Sequence, residues 1–125
     1  MSKFVIEGGH HLSGDIIPQG AKNEALQVLC AVLLTPEKIN MCNVPEIRDV
    51  LKLIDLLGDL GVEVERLEKN CYTFKAANID LDFLRSEIYQ AKSTELRGSV
   101  MLVGPMLARF GKAFIPKPGG DKIGR

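Results

Sequence analysis

The feature that most constrains the fold is a long apolar stretch at residues 20–34, with the sequence GAKNEALQVLCAVLL. It starts with a glycine and two polar residues, Lys22 and Asn23, and is almost wholly apolar from Ala25 onwards. A helix that is apolar on every side is a buried one, so we predict a buried helix with a polar start. The helix dipole and free N–H groups favour an anion there, and Lys22 adds a full positive charge. The alternative is that Lys22 and Asn23 only solvate the end of the helix.

Length and composition predict one domain with a hydrophobic core. The chain has 125 residues, of which 46% are hydrophobic, and it carries 16 basic and 16 acidic residues. The resulting zero net charge argues against a nucleic-acid partner but allows a local anion site. The start of the chain has neither the charge nor the apolar length of a signal peptide or membrane span, so we expect no membrane partner.

The three cysteines, Cys30, Cys42 and Cys71, are an odd number and do not stand at a metal-ligand spacing. We therefore expect no metal site, and a reduced, cytoplasmic setting fits best. Cys30 falls inside the apolar helix, where a free cysteine packs as a small hydrophobic side chain.

The first part of the chain alternates between strand and helix patterns. Period-two alternation, helical spacing and turn residues each mark the elements. The predicted elements are strands at Phe4–Glu7 and Leu12–Pro18, the helix that ends at Thr35, a strand at Lys38–Val44, a helix at Arg48–Leu60, and an antiparallel hairpin of Val62–Leu67 with Cys71–Ala76.

The remaining part predicts the start of a second, similar unit. Its predicted elements are one helical turn within Asp80–Arg85, a strand at Glu87–Ala91, a helix capped by Ser93 or Thr94 that reaches Phe110 with a kink at Gly104-Pro105, and a strand at Lys112–Pro116. Both long helices begin beside cations, Lys22 in the first and Lys92 and Arg97 in the second. If the two units pack side by side, these helix starts converge on one anionic ligand.

A glycine-rich stretch near the end, PKPGGDKIGR, offers one further chemical group. Asp121 stands between Gly120 and Lys122, and a carboxylic acid there would donate a proton if its surroundings raised its pKa. Lys122 opposes such a rise because it favours the charged carboxylate. The alternative is an ordinary solvated turn.

Together these stretches resemble the UDP-N-acetylglucosamine 1-carboxyvinyltransferases, a family of bacterial enolpyruvyl transferases that start peptidoglycan synthesis. The resemblance covers essentially the whole chain but only about the first third of a family member. The matching stretches, in the family's order, are FVIEGG, LSGDIIPQGAKNEAL, NVPEIRDV, LLGDLGVEVE, ELRGSVMLVGPMLARFG and PGGDKIG.

The resemblance implies an α/β fold, an inside-out barrel of two domains built from repeated βαβαββ units. This chain would hold the first unit and part of the second. Residues 1–20 would be strands that pack with the other domain, and residues 21–125 would be part of the first domain. Without that other domain, we expect the first strands either to be displaced or to pair with another copy of the chain, because an unpaired strand edge invites association.

The resemblance also implies transfer of the enolpyruvyl group of phosphoenolpyruvate to the 3-hydroxyl of UDP-N-acetylglucosamine, without a metal or an organic cofactor. Lys22 and Asn23 match residues that contact phosphoenolpyruvate, and Lys22 is in addition assigned to catalysis. Arg97 matches an arginine on the nucleotide-sugar side, and Asp121 matches the proton donor. Most members carry cysteine at the position of Asp121, and this exchange implies fosfomycin resistance.

Two interpretations stay open at this point. The chain is either an enzyme segment, inactive without the second domain, or a non-catalytic module that binds anions or associates with itself. Within the enzyme interpretation, the related shikimate-pathway transferase is the second candidate. The sequence Gly20-Ala21-Lys22-Asn23, rather than a serine-containing G-S-K-S start, weighs against it.

Overall fold

The computed structural model describes residues 3–117, in which helices pack on one face of a small antiparallel sheet. The elements in chain order are α1 (Lys22–Ala31), β1 (Lys38–Met41), α2 (Arg48–Asp59), β2 (Glu63–Glu68), β3 (Cys71–Lys75), α3 (Glu87–Glu95) and α4 (Val103–Phe110), with 3₁₀ turns at Val32–Leu34, Phe83–Arg85 and Arg97–Leu102. This mixed architecture agrees with the predicted α/β class.

Helix α1 forms where the apolar stretch predicts it, but it is buried on one side only. Its inward residues include Leu26, Leu29 and Cys30, and the chain then tightens into the Val32–Leu34 turn. Val28 on the other side is 44% exposed. The expectation of burial all round is therefore wrong for the described residues, because the neighbouring elements cover only one face of the helix.

Helix α2 is confirmed and shows how helical spacing produces a core face. Apolar residues recur every three or four positions, and the buried ones are Val50, Leu53, Ile54, Leu56 and Leu57. The helix stops before Gly61, whose φ of +101° favours glycine. A Cβ there would lie 2.3 Å from the carbonyl oxygen of Asn78, so a larger residue cannot take this position without moving the chain.

The sheet has the strand order β1-β3-β2, with both neighbouring pairs antiparallel. The predicted β2–β3 hairpin is confirmed, and its turn includes Asn70 at a φ of +63°. Phe74 pairs with Ile39 on one side and Val64 on the other, and these apolar residues belong to the core. Successive side chains on a strand point to opposite faces of the sheet. The residues next to these apolar ones, such as Lys75 and Glu63, therefore point to the other, polar face.

A disulfide joins Cys42, which follows β1, to Cys71, which begins β3. The expectation of reduced cysteines is therefore wrong for these two, because strand pairing brings together residues that are 29 positions apart. Cys30 remains free and buried, as predicted, and its thiol donates to the Leu26 carbonyl. Burial raises the pKa of this thiol to about 12.

Helix α3 occupies the region where we predicted the strand Glu87–Ala91, so that prediction is wrong. Its cap is Ser86, whose hydroxyl accepts the Tyr89 N–H, rather than Ser93 or Thr94. The predicted long helix is divided at Leu96, whose backbone is extended, and not by a kink at Gly104-Pro105. Pro105 lies in the first turn of α4, where its missing N–H removes no hydrogen bond within the helix.

Ion pairs line the contact between α2 and α3. Lys52 Nζ lies 2.6 Å from Glu95 Oε2, and Lys92 Nζ lies 2.6 Å from Asp55 Oδ2 and also contacts Asp59. Each pair joins an α2 residue to an α3 residue, so charge as well as apolar packing sets how α3 lies on α2.

The predicted strands at Phe4–Glu7 and Leu12–Pro18 do not form, and neither does a strand at Lys112–Pro116. Within the described residues no strand pairs with these segments, and an isolated strand has no hydrogen-bond ladder to hold it. The first segments are exposed, and Leu12 is 95% accessible to solvent. Their packing against another domain stays a prediction.

Glu46 fastens the segment between β1 and α2 to the β2–β3 hairpin. Arg66 donates two hydrogen bonds to its carboxylate, at 2.8 and 3.0 Å, and the Asn70 N–H and Tyr72 hydroxyl also donate to it. The hydrogen bonds from Arg66, Asn70 and Tyr72, in that order, lower the pKa of Glu46 from 4.5 to about 2.

The pKa of Glu46 is lower in the folded state than in the unfolded state, so the charged carboxylate stabilises the fold above pH 4.5. This contribution is lost as the pH falls towards 2. Glu46→Gln should therefore reduce the free energy of unfolding at pH 7, and its difference from the wild type should shrink on acidification. Urea unfolding between pH 7 and pH 2.5 measures this. Glu65→Gln, an exposed change on the same hairpin, is the control, and a pH-independent difference for Glu46→Gln would contradict the assignment.

Candidate functional site

A cleft of about 570 Å³ opens between the start of α1, the start of α2 and the corner that joins α3 to the next turn. Both polar and apolar side chains line it. The lining residues are Lys22, Asn23, Leu26, Gln27, Asp49, Glu95, Leu96, Arg97, Gly98, Val100 and Met101. Three of the four residues predicted to act on substrate therefore lie around one cavity.

Lys22 is the first residue of α1, and Asn23 follows it. The preceding residue, Ala21, has no side chain that caps the helix, so the first N–H groups of α1 remain available to a ligand. The Nζ atom of Lys22 lies 2.6 Å from Asp49 Oδ2, and both side chains are close to half exposed. An anion that enters the cleft therefore meets a lysine that is already paired.

Asp49 is the site residue that the sequence analysis missed. It lies in the first turn of α2, and the hydrogen bond from Lys22 lowers the pKa of its carboxyl group. Its carboxylate is therefore held in the charged form beside Lys22. The stretch NVPEIRDV contains Asp49, but a pair 27 positions apart in sequence gives no periodic signal that would have revealed the contact.

Arg97 reaches the cleft because α3 ends at Glu95 and the extended Leu96 leads into the Arg97–Leu102 turn. The turn is held by the Ser99 hydroxyl, which donates to the Ser93 carbonyl at 2.8 Å. It also lies close to α1, since a Cβ at Gly98 would stand 3.1 Å from a methyl carbon of Leu26. This close approach places Arg97 on the wall that faces the start of α1.

Lys92, the other cation predicted at a helix start, does not line this cleft. Lys92 points to α2, where it pairs with Asp55 and Asp59, so the expectation that Lys92 converges with Lys22 is wrong. Asp121 lies outside the described residues, and its role stays a prediction from the sequence. Neither a cluster of three potential metal ligands nor a helix long and apolar enough to cross a membrane is found within residues 3–117.

Comparison with known proteins decides the family. Residues 6–125 match the family model of EPSP synthase (3-phosphoshikimate 1-carboxyvinyltransferase). The chain belongs to the EPSP synthase family. The membership supports an enolpyruvyl transferase fold for the helices and the small sheet described above, and it confirms the resemblance inferred from the motifs.

Three similar curated proteins carry the same name, UDP-N-acetylglucosamine 1-carboxyvinyltransferase. Those from Bacteroides fragilis, Bacteroides thetaiotaomicron and Porphyromonas gingivalis are 61%, 59% and 54% identical over all 125 residues of the chain. The chain spans 29% of the length of each of these relatives. It therefore corresponds to a segment of such a protein.

The Lys22–Asp49 pair predicts how the cleft responds to an anion. Asp49→Asn removes a negative charge that competes for Lys22, so inorganic phosphate should bind up to about fivefold more tightly at low salt, as expected for an exposed ion pair. Nuclear magnetic resonance titration of the Asn23 and Gln27 amides measures this affinity. Asp55→Asn, which removes a partner of Lys92 instead, should leave it unchanged, and unchanged or weaker binding by Asp49→Asn would contradict the prediction.

Proposed function

We propose that the chain is a segment of a UDP-N-acetylglucosamine 1-carboxyvinyltransferase. The complete protein would move the enolpyruvyl group of phosphoenolpyruvate to the 3-hydroxyl of UDP-N-acetylglucosamine, the first committed step of peptidoglycan synthesis. The observation that carries the proposal is the convergence of Lys22, Asn23 and Arg97 on one cleft. The names of relatives at 54–61% identity support the same activity.

Phosphoenolpyruvate suits the α1 side of the cleft because it carries a carboxylate and a phosphate. Lys22 supplies a full positive charge, Asn23 an amide donor, and the first turn of α1 free N–H groups. The substrate anion would replace Asp49 as the partner of Lys22. Arg97, on the opposite wall, would contact the nucleotide sugar, whose diphosphate is also anionic.

The reaction would be an addition followed by an elimination. In the first step the sugar 3-hydroxyl oxygen bonds to C2 of phosphoenolpyruvate and gives up its proton, while the C2–C3 double bond becomes single and the methylene carbon gains a proton from Asp121. In the second step the methyl group returns a proton to Asp121 and the C–O bond between C2 and the phosphate breaks. The released phosphate carries away the hydroxyl proton, and the enolpyruvyl ether remains. A carboxylic acid at position 121 can fill the proton-donor role that most family members give to cysteine.

The fold proposal follows the same family. Residues 21–125 would be part of the first domain of an inside-out α/β barrel, and residues 1–20 would pack with the other domain. The unpaired segment at residues 3–20 would otherwise lead to self-association. We further propose that the isolated chain is inactive, because groups that the second domain supplies to the site would be missing. The proposed location is cytoplasmic, a compartment in which a disulfide such as Cys42–Cys71 is uncommon.

A second candidate is transfer to shikimate 3-phosphate, which the family's description favours. The complete gene product distinguishes the two acceptors through phosphate release from phosphoenolpyruvate. We expect release with UDP-N-acetylglucosamine and none with shikimate 3-phosphate. The opposite preference would overturn the proposed acceptor, and release with neither would favour the non-catalytic module.

Lys22→Ala in the complete gene product should lower kcat/KM by about a hundredfold or more, the usual cost of removing a group that stabilises developing charge. Lys38→Ala, which removes an exposed lysine on β1, is the matched control and should retain activity. Steady-state phosphate release gives both values. Equal activity of the two variants would remove Lys22 from the reaction.

Asp121 predicts resistance to fosfomycin, an epoxide that forms a thioether with cysteine. A carboxylate cannot form that product, so the complete gene product should stay active and unlabelled in the presence of the drug. Asp121→Cys restores the thiol and should become labelled and inhibited. Mass spectrometry detects the adduct, and labelling of Asp121 itself would refute the prediction.

A further inference from the structure

The backbone just before α1 is held by one side chain from a distant loop. The Gly20 N–H donates to the Oδ1 atom of Asn43 at 3.1 Å. Gly20 precedes Lys22 by two residues, and Ala21 between them provides no side-chain cap for the helix. The start of α1 is thus fastened from outside, by a residue that does not line the cleft.

Asn43 is itself fixed on both sides. Its φ of +58° lies in the left-handed region, where asparagine is more readily accommodated than most residues. The disulfide to Cys71 tethers Cys42 before it, and after it the Val44 N–H donates to the Asn70 carbonyl at 2.9 Å. The amide group of Asn43 therefore projects from a loop that the β-sheet holds in place.

Gly20 also approaches Asn43 more closely than any other residue type would allow. A Cβ built on Gly20 would lie 1.9 Å from the Asn43 carbonyl oxygen and 3.1 Å from the Pro45 ring. The hydrogen bond and this close approach act at the same point. Together they fix the position along the chain at which α1 begins.

We propose that Asn43 is a positioning residue for Lys22, an inference that rests on the proposed role of Lys22 in binding phosphoenolpyruvate. Asp49 holds the tip of the lysine side chain, and Asn43 holds the backbone from which that side chain starts. Loss of the Asn43 amide frees Gly20 and lets the first turn of α1 fray, so Lys22 and Asn23 lose their common position. Arg97, on the opposite wall, does not depend on Asn43, because the hydrogen bond from Ser99 to Ser93 holds its turn.

The contact is tested first in the 125-residue chain, by amide hydrogen exchange at Gly20. Asn43→Gly keeps the left-handed backbone accessible but removes the acceptor, and should speed exchange about threefold to tenfold, as expected for one net hydrogen bond. Asn43→Asp retains an acceptor oxygen and should stay close to the wild type. Asn70→Gly is the matched control, since Asn70 has a similar φ of +63° but its side chain does not hold Gly20.

The consequence is tested in the complete gene product by separate KM values for the two substrates. Asn43→Gly should raise KM for phosphoenolpyruvate about threefold to tenfold, while KM for UDP-N-acetylglucosamine changes less than twofold. Asn43→Asp should have a KM for phosphoenolpyruvate close to that of the wild type. Melting temperatures of Asn43→Gly and Asn70→Gly are compared so that a general loss of stability is recognised.

Each outcome decides the inference. Equal exchange and equal KM values for Asn43→Gly and Asn70→Gly overturn it, as does a parallel rise of both KM values or a failure of Asn43→Asp to rescue. If Lys22→Ala leaves turnover unchanged while Asn43→Gly still frees the Gly20 amide, the proposed function fails and the positioning role fails with it. The contact between Asn43 and Gly20 would stand in that case.

Discussion

The approach of the Arg97–Leu102 turn to α1 is the contact on which the shape of the cleft depends. Leu26 of α1 is 8% exposed, and Gly98 lies so close to it that an added Cβ would be 3.1 Å away. Interiors are packed densely, so a side chain at position 98 would push the turn outward and widen the gap between the two walls. The distance between Lys22 and Arg97 is therefore a product of apolar packing, although both residues are charged.

The elements that the sequence predicted well are those with a strong local period. Helix α2 repeats its apolar residues at helical spacing, and the β2–β3 hairpin alternates around a turn at Asn70. The wrong predictions concern segments whose structure depends on neighbours. The apolar run at Phe4–Glu7 suits a strand, yet within the described residues it has no strand to pair with. Glu87–Ala91 is too short for its period to distinguish strand from helix.

The candidate site was predicted for a different reason. Helix-start reasoning singled out Lys22, Asn23 and Arg97 as anion-binding residues, and the glycine-rich stretch indicated Asp121 as a proton donor. The resemblance to a family then supplied the substrates that these residues are expected to contact. The structure brings Lys22, Asn23 and Arg97 together and adds Asp49, which no local pattern indicated. Contacts between residues far apart in sequence depend on the tertiary arrangement, and for the same reason the pairing of Cys42 with Cys71 was missed.

The ion pairs between α2 and α3 give the two walls of the cleft different physical characters. The backbone that carries Lys22 rests on apolar side chains of α1 and on the hydrogen bond from the Gly20 N–H to Asn43, which dissolved ions hardly affect, and only the tip of Lys22 is in an exposed ion pair. The wall that carries Arg97 follows α3, whose placement on α2 depends partly on Lys52–Glu95 and Lys92–Asp55. The screening length falls from about 10 Å at 0.1 M salt to about 3 Å at 1 M. Concentrated electrolyte therefore weakens the ion pairs that help to place α3, whereas the apolar contact of Gly98 with Leu26 does not depend on charge and keeps the turn against α1.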